Sequence, residues 1–266
     1  MTLAPPTLTD AALTIDRGVA LLTLQRDDVR NALTGTALID DIVAVCEWIN
    51  RDDGIGALLL TGAGKAFSAG GNVKDMQRRE GMFGGDPLTI QDAYRRGIQR
   101  MSRALYQLEV PAIAALNGAA IGAGLDLACM CDIRIGCEYS KAGETFVNLG
   151  IIPGDGGAWF LPRIVGAQRA AELTFSGRVI DAQEALRIGL LLELTSAAEL
   201  LPRALALAAQ FATQPRAALR ISKRLLQKSA RLELDDFLDY CATLQSLCHH
   251  SEQHHSALAA LFAAST

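Results

Sequence analysis

The chain has 266 residues, is 50% hydrophobic and carries a formal net charge of −4 at neutral pH. This size allows one large core, alone or with an appendage, and the slightly acidic balance argues against a nucleic-acid partner. The six cysteines show no C-x-x-C pair and no zinc-ligand spacing, so we expect reduced thiols and no metal site. The start, MTLAPPTLTD, lacks the basic and apolar regions of a signal peptide, which favours a cytoplasmic protein with no membrane partner.

The first predicted element is a β-hairpin, because apolar runs flank a turn at Arg17 and Gly18. A helical pattern of apolar residues follows, and Thr34 is its expected N-cap. Further along, apolar residues at helical spacing over residues 89–108 predict one long helix that Pro111 ends.

The order of strand, glycine loop and helix start occurs twice, at residues 57–75 and 112–130. Glycine at a strand-to-helix turn lets a ligand approach the backbone closely, and the first amides of a helix favour negative charge. Asp126 lies one turn inside the second helix, where we expect it to face such a ligand. The alternative is a tightly packed turn in which Asp126 is a solvated or capping acid.

The first glycine loop does not fit a nucleotide-binding motif. Leu59 and Ala66 stand where a phosphate loop needs glycine and Ser or Thr. Phe67 occupies the third glycine position of a dinucleotide fingerprint. Ser68 lacks the G-x-S-x-G elbow and no histidine precedes residue 249, so a serine hydrolase is not expected.

The two glycine loops together predict an oxyanion hole. Each loop makes one backbone N–H available, at Gly71 in the first and at Ala123 in the second. Two amides from two loops are the donors that a developing oxyanion on a carbonyl group needs.

The chain divides unevenly into mixed and helical parts. Strand patterns lie in the first half, and nearly everything after residue 165 is predicted helix. We therefore predict an α/β core that carries the site over residues 1–199 and a C-terminal helical region over residues 200–266.

Three sequence blocks carry a resemblance to a known family. They are AFSAGGNVKDM at residues 66–76, NGAAIGAGLDLACMCDIRI at residues 117–135 and LGIIPGDGG at residues 149–157. In order and spacing they resemble the signature blocks of the enoyl-CoA hydratase/isomerase (crotonase) superfamily. The resemblance runs from about residue 12 to residue 262.

The resemblance implies a spiral of ββα units followed by C-terminal helices that assemble trimers or dimers of trimers. It implies an acyl-CoA substrate, with coenzyme A carried in the thioester and no separate cofactor. The thioester oxygen is then expected on the amides of Gly71 and Ala123. The resemblance puts the CoA moiety at Val29, Arg30, Lys65, Ala66, Ala69 and Gly70, and Arg26 is a further candidate partner of its phosphates. The acyl pocket is expected at Val73, Gly122, Phe146, Pro153 and Gly154.

Two departures from the family pattern bear on the chemistry. Family hydratases use two glutamates to hold and activate water, and these positions fall on Asp126 and Phe146. Asp155 lies one residue after the carboxylate of the family's isomerase branches, and its alternative role is to cap the next helix. We predict isomerase-type proton transfer with Asp126 or Asp155 as base, because one desolvated acid suits that reaction. Hydration is the second hypothesis, and a non-catalytic acyl-CoA-binding protein is the third.

Overall fold

The computed structural model describes residues 3–263. Six strands form the larger sheet in the order β1-β2-β3-β5-β7-β10. Their bounds are β1 Ala11–Asp16, β2 Val19–Leu24, β3 Ala57–Gly62, β5 Ala112–Leu116, β7 Ile133–Cys137 and β10 Glu193–Thr195. β1 and β2 are antiparallel, and the other pairs are parallel. The predicted hairpin is confirmed, with φ of 45° at Arg17 and 79° at Gly18, as a tight turn between twisted strands requires.

Four short strands form a second sheet in the order β4-β6-β8-β9. Their bounds are β4 Ala66–Ser68, β6 Ala119–Ile121, β8 Lys141–Gly143 and β9 Val179–Asp181. In three successive passages the chain runs through one strand of each sheet, as β3-β4, β5-β6 and β7-β8. A helical segment follows each passage, so the predicted spiral of ββα units is confirmed.

Helices cover both faces of the larger sheet. They are α1 Leu38–Arg51, α2 Val73–Arg78, α3 Pro87–Arg96, α4 Ile98–Tyr106, α5 Ala123–Met130, α6 Gly157–Val165, α7 Ala167–Ser176, α8 Ala182–Arg187, α9 Ala197–Ala212, α10 Arg216–Ser229, α11 Leu234–His249 and α12 Glu252–Ala263. The main core lies between the sheets and packs against α1, α4 and α5. A second cluster packs α9 on the other face of the sheet, through Leu200 and Ala204. The predicted division at residues 199 and 200 falls inside α9.

Two local predictions were wrong. Thr34 does not cap α1, because that helix begins at Leu38 and the Asp10 carboxylate accepts the Ala37 N–H at 2.7 Å. The single helix predicted over residues 89–108 is two helices, α3 and α4, separated at Gly97 with φ −104° and ψ −110°. Helical periodicity continues across this break, so the pattern alone did not reveal it. No helix within residues 3–263 is long and apolar enough to cross a membrane.

Candidate active site

The two glycine loops meet at the N-terminus of α5. Gly70 has φ of 77°, and a Cβ there would lie 2.9 Å from the Ala123 nitrogen. The Ser68 hydroxyl fixes the first loop, because it accepts the Gly70 N–H at 3.1 Å and donates to the Asn31 carbonyl at 2.7 Å. Only glycine at position 70 lets the loops come this close, which sets the separation of the two predicted oxyanion amides.

A small cavity, here called the inner cavity, lies between these loops. Its volume is about 20 Å³, enough for about one water molecule. Neither the Gly71 nor the Ala123 N–H donates to another residue of the described chain. The cavity is lined by Thr34, Gly71, Met76, Met82, Phe83, Tyr94, Ile98, Ala123, Phe146, Ile151 and Asp155. The two free amides therefore share one space with one carboxyl group.

Asp155 is the acid that lines the inner cavity. Its side chain is buried, and neither carboxyl oxygen has a hydrogen-bond partner within residues 3–263. It does not cap the next helix, because the N-cap of α6 is Gly156 and no side chain of the cap residue bonds to the helix. The Ser102 hydroxyl donates to the Asp155 carbonyl and so anchors this loop to α4. The alternative role of Asp155 as a helix cap is wrong.

Asp126 lies behind the inner cavity and is not among the residues that line it. Its side chain is fully buried in α5. One carboxyl oxygen, Oδ2, accepts the Gly157 N–H at 3.0 Å, while Oδ1 has no partner within the described residues. Asp126 therefore caps the first turn of α6, although it belongs to a different helix, α5. The sequence analysis gave capping as an alternative role for Asp126 but did not say which helix it would cap.

Glu144 is a third buried acid at this site, and the sequence analysis missed it. It follows β8, and both of its carboxyl oxygens lack a partner in the described part of the chain. A Cβ at Gly157 would touch the carboxyl oxygens of both Asp126 and Glu144, so glycine is needed there for the acids to meet. The sequence carries no signal for this contact, since Glu144 looks like an ordinary turn residue.

Asp126, Glu144 and Asp155 influence one another's ionisation and are here called the acid cluster. Burial raises the pKa of Asp126 well above its ordinary value, and the neighbouring charges of Asp155 and Glu144 raise it further. Burial also raises the pKa of Glu144 to about 7 and raises the pKa of Asp155. Except for Oδ2 of Asp126, the carboxyl oxygens of the three acids lack partners within residues 3–263 only while all three are ionised, because a protonated Asp126 is close enough to donate a hydrogen bond to Glu144 or to Asp155. Asp126 is therefore the favoured site for a proton that its two neighbours share.

A larger space, here called the outer cavity, adjoins the inner one. Its volume is about 1020 Å³, and the two share Met76, Phe83, Tyr94 and Ile151 in their walls. The other lining residues are Val73, Gln77, Arg79, Ile90, Gln91, Arg95, Gln99, Leu149, Gly150, Ile152 and Gly154. Tyr94 was missed by the sequence analysis, and burial, together with the charge of Asp155, raises its pKa.

The structure brings most of the predicted acyl-pocket residues to these cavities. Val73 and Gly154 line the outer cavity, and Phe146 lines the inner one. A Cβ at Gly122 would lie 3.7 Å from the Phe146 ring, so this glycine lies next to the wall of the inner cavity. Pro153 lines neither cavity.

Known proteins share both this sequence and this architecture. The chain matches the enoyl-CoA hydratase/isomerase family over residues 14–262. It is 35% identical over 233 residues to the crotonyl-CoA hydratase of Syntrophomonas wolfei, covering 86% of each chain. The chain belongs to the enoyl-CoA hydratase/isomerase family.

Solved structures of this family agree with the fold. The enoyl-CoA hydratase of Bacillus anthracis matches with a TM-score of 0.88 at 30% identity, covering 95% of this chain and 96% of that one. A Thermobifida fusca structure in complex with CoA matches with a TM-score of 0.80 at 33% identity, covering 90% and 92%. The chain is therefore a crotonase-fold enzyme of the enoyl-CoA hydratase/isomerase family.

The segments expected to contact CoA in this family lie together. The Ala69 N–H donates to the Arg30 carbonyl at 2.9 Å, so the segment that carries Val29 and Arg30 is joined to the first glycine loop. Arg30 and Lys65 are exposed, as phosphate partners need to be. Arg26 instead forms ion pairs with Asp10 at 3.2 Å and Asp28 at 2.8 Å, so its guanidinium is already engaged.

Proposed function

We propose that this enzyme moves a carbon–carbon double bond in an enoyl-CoA thioester by proton transfer through an enolate. The observation that carries the proposal is Asp155, a buried carboxyl group with unpartnered oxygens in the cavity that holds the free amides of Gly71 and Ala123. Donors fixed in advance at the site of developing charge are an effective way to stabilise an enolate. A base with a pKa raised by burial suits abstraction of a weakly acidic proton.

The reaction begins when the Asp155 carboxylate removes a proton from C2 of a 3-enoyl-CoA. The electrons of the C2–H bond move into a dienolate, whose charge develops on the thioester oxygen and is stabilised by the two amides. Asp155 then returns the proton to C4, and the double bond is left between C2 and C3. The same carboxyl group serves as base and then as acid, so no second catalytic acid is required.

The rest of the acid cluster supports this role of Asp155. A protonated Asp126 keeps the total negative charge of the buried cluster low and donates to a neighbouring carboxylate. Phe146 places an apolar ring at the position where family hydratases have their second glutamate, and this ring can neither hold a water molecule nor move a proton. We propose no cofactor beyond the coenzyme A of the thioester, held at Val29, Arg30, Lys65, Ala66, Ala69 and Gly70.

Hydration of a 2-enoyl-CoA is the second candidate. The inner cavity has a volume of about 20 Å³, enough for about one water molecule, next to Asp155. One relative is a crotonyl-CoA hydratase, which also favours this candidate. A water held by Asp155 alone lacks the second glutamate, so we place hydration behind isomerisation.

The deciding assay gives the purified enzyme a 3-enoyl-CoA and, separately, a 2-enoyl-CoA. We expect the 3-enoyl ester to become a conjugated 2-enoyl ester at unchanged mass, with increased ultraviolet absorbance of the enone-like thioester. Gain of one water by the 2-enoyl ester, without isomerisation of the 3-enoyl ester, would instead establish a hydratase. Tight binding of both esters with no product would mean a binding protein.

We also propose that the C-terminal helices form a homotrimer, or a dimer of trimers. Within residues 3–263, α11 and α12 contain no buried residues, and several leucines of α10 and α11 are exposed, including Leu226 at 77% and Leu234 at 68%. By contrast, α10 is fixed to the core by Lys223, which pairs with Asp132 at 2.7 Å. Light scattering should give three or six times the chain mass of 28.3 kDa. A single-chain mass would refute this assembly.

A further inference from the structure

The outer cavity is large for the site of a short acyl chain. Its volume of about 1020 Å³ is just above the range of about 300–1,000 Å³ for pockets that enclose drug-sized ligands. It shares four lining residues with the inner cavity, where the proposed reaction takes place. Much of its wall is apolar, including Val73, Ile90 and Leu149. An acyl chain that starts at the amides therefore has space to extend into it.

The charged residues that line the outer cavity are all positive. Arg79 and Arg95 line it, and no Asp or Glu among residues 3–263 does. Neither guanidinium forms an ion pair or a hydrogen bond with the rest of the described chain. An unpaired pair of cations in the wall of an otherwise mostly apolar cavity favours an anionic group on the ligand.

The arginines next to Arg79 and Arg95 in the chain differ from them, because they have acidic partners. Arg78 pairs with Glu80 at 3.8 Å, and Arg96 pairs with Asp92 at 3.3 Å. Neither Arg78 nor Arg96 lines the outer cavity. In each neighbouring pair, the arginine outside the cavity has an acidic partner and the arginine in its wall has none.

We infer that the preferred substrate is a long acyl-CoA whose acyl chain ends in a carboxylate, which Arg79 and Arg95 bind. This inference rests on the proposed acyl-CoA site and adds the class of acyl group to it. The thioester lies at the amides of Gly71 and Ala123, the chain runs along the apolar wall, and the terminal carboxylate reaches the two guanidinium groups. Arg recognises carboxylates through paired N–H donors, which gives direction as well as affinity.

The test measures binding of saturated esters, which have no double bond to move. Adipoyl-, suberoyl- and sebacoyl-CoA are compared by calorimetry with hexanoyl-, octanoyl- and decanoyl-CoA. We expect the dicarboxylic ester to bind about tenfold more tightly at one or more of these lengths, as expected for charge-assisted hydrogen bonds at an accessible site. Arg79→Gln and Arg95→Gln should each remove most of this preference and leave the binding of the monocarboxylic esters unchanged. Arg78→Gln and Arg96→Gln are the matched controls and should keep the preference.

Equal binding of the two ester classes at every length would overturn the inference. Equal weakening of both classes by Arg79→Gln and Arg95→Gln would overturn it too, because the arginines would then bind the phosphates of CoA. Neither result would contradict the proposed isomerisation, because that reaction is measured on unsaturated esters. Absence of binding for all six esters would refute the acyl-CoA site itself.

Discussion

Asp155→Asn is expected to lower kcat for isomerisation of a 3-enoyl-CoA by about 10²–10⁴-fold, the contribution of a positioned general base. Asparagine has nearly the same shape but cannot accept the C2 proton. Affinity for a saturated acyl-CoA should stay within about threefold, because the amides of Gly71 and Ala123 are unchanged. Stopped-flow absorbance gives kcat, and calorimetry gives the affinity.

Asp235→Asn is the matched control, since this acid is exposed at the start of α11 and far along the chain from the cavities. It should leave both quantities unchanged. Full activity of Asp155→Asn would contradict the assignment of the base and would point to Asp126, the other predicted candidate for the base. Loss of affinity together with kcat would mean that Asp155 shapes the site instead of reacting.

Glu144→Gln is expected to make the protein more stable at pH 8 and to flatten the dependence of stability on pH. Burial raises the pKa of Glu144 from 4.5 to about 7, so the native protein keeps a proton that the unfolded chain releases. This favourable difference is fully present below about pH 4.5 and is lost as the pH rises through about 7. The wild-type free energy of unfolding should therefore fall over this range, by up to about 3 kcal/mol from Glu144. The raised pKa values of Asp126 and Asp155 add to the fall in the same direction.

Thermal unfolding of wild type and Glu144→Gln between pH 5 and pH 8 measures this effect. A gain of about 3 kcal/mol corresponds to an increase in Tm of several degrees for a chain of this length. The acid limb of the kcat/KM profile should stay where it is in wild type, because burial and the hydrogen bond with Asp126, not Glu144, set the pKa of Asp155. Glu138→Gln makes the same chemical change at an exposed position between β7 and β8, and should alter neither curve. A parallel pH dependence of stability in wild type and Glu144→Gln would show that Glu144 is not part of the shared titration.

The acid cluster is a case in which stability and activity oppose each other. Three carboxyl groups with unpartnered oxygens in a buried space cost free energy, since buried polar groups are normally hydrogen-bonded. The same burial gives Asp155 the raised pKa that its proposed role as a base requires. A chain selected for stability alone would replace these acids by neutral residues.

The sequence by itself was enough to recognise the family and the two glycine loops, and to predict which two amides form the oxyanion hole. These features are local, because a strand, a glycine turn and a helix start lie next to one another in the chain. Gly70 belongs to the first glycine loop in the sequence, although only the structure shows that the two loops touch at this residue. Asp126 was recognised by its place one turn inside the helix that follows the second glycine loop, and Asp155 because it lies inside the third signature block.

Only the tertiary structure shows which acid lines the inner cavity and what surrounds it. Asp126, Glu144 and Asp155 come from α5, the end of β8 and the loop before α6, and nothing in their spacing says that they meet. The cap that Asp126 provides to α6 likewise depends on a residue 31 positions away in the chain. Whether Arg79 and Arg95 have acidic partners depends on the direction of their side chains. Burial and missing partners are properties of packed elements. Residue type and periodicity describe one element at a time, and for this reason the division of roles among the acids appeared only in the folded chain.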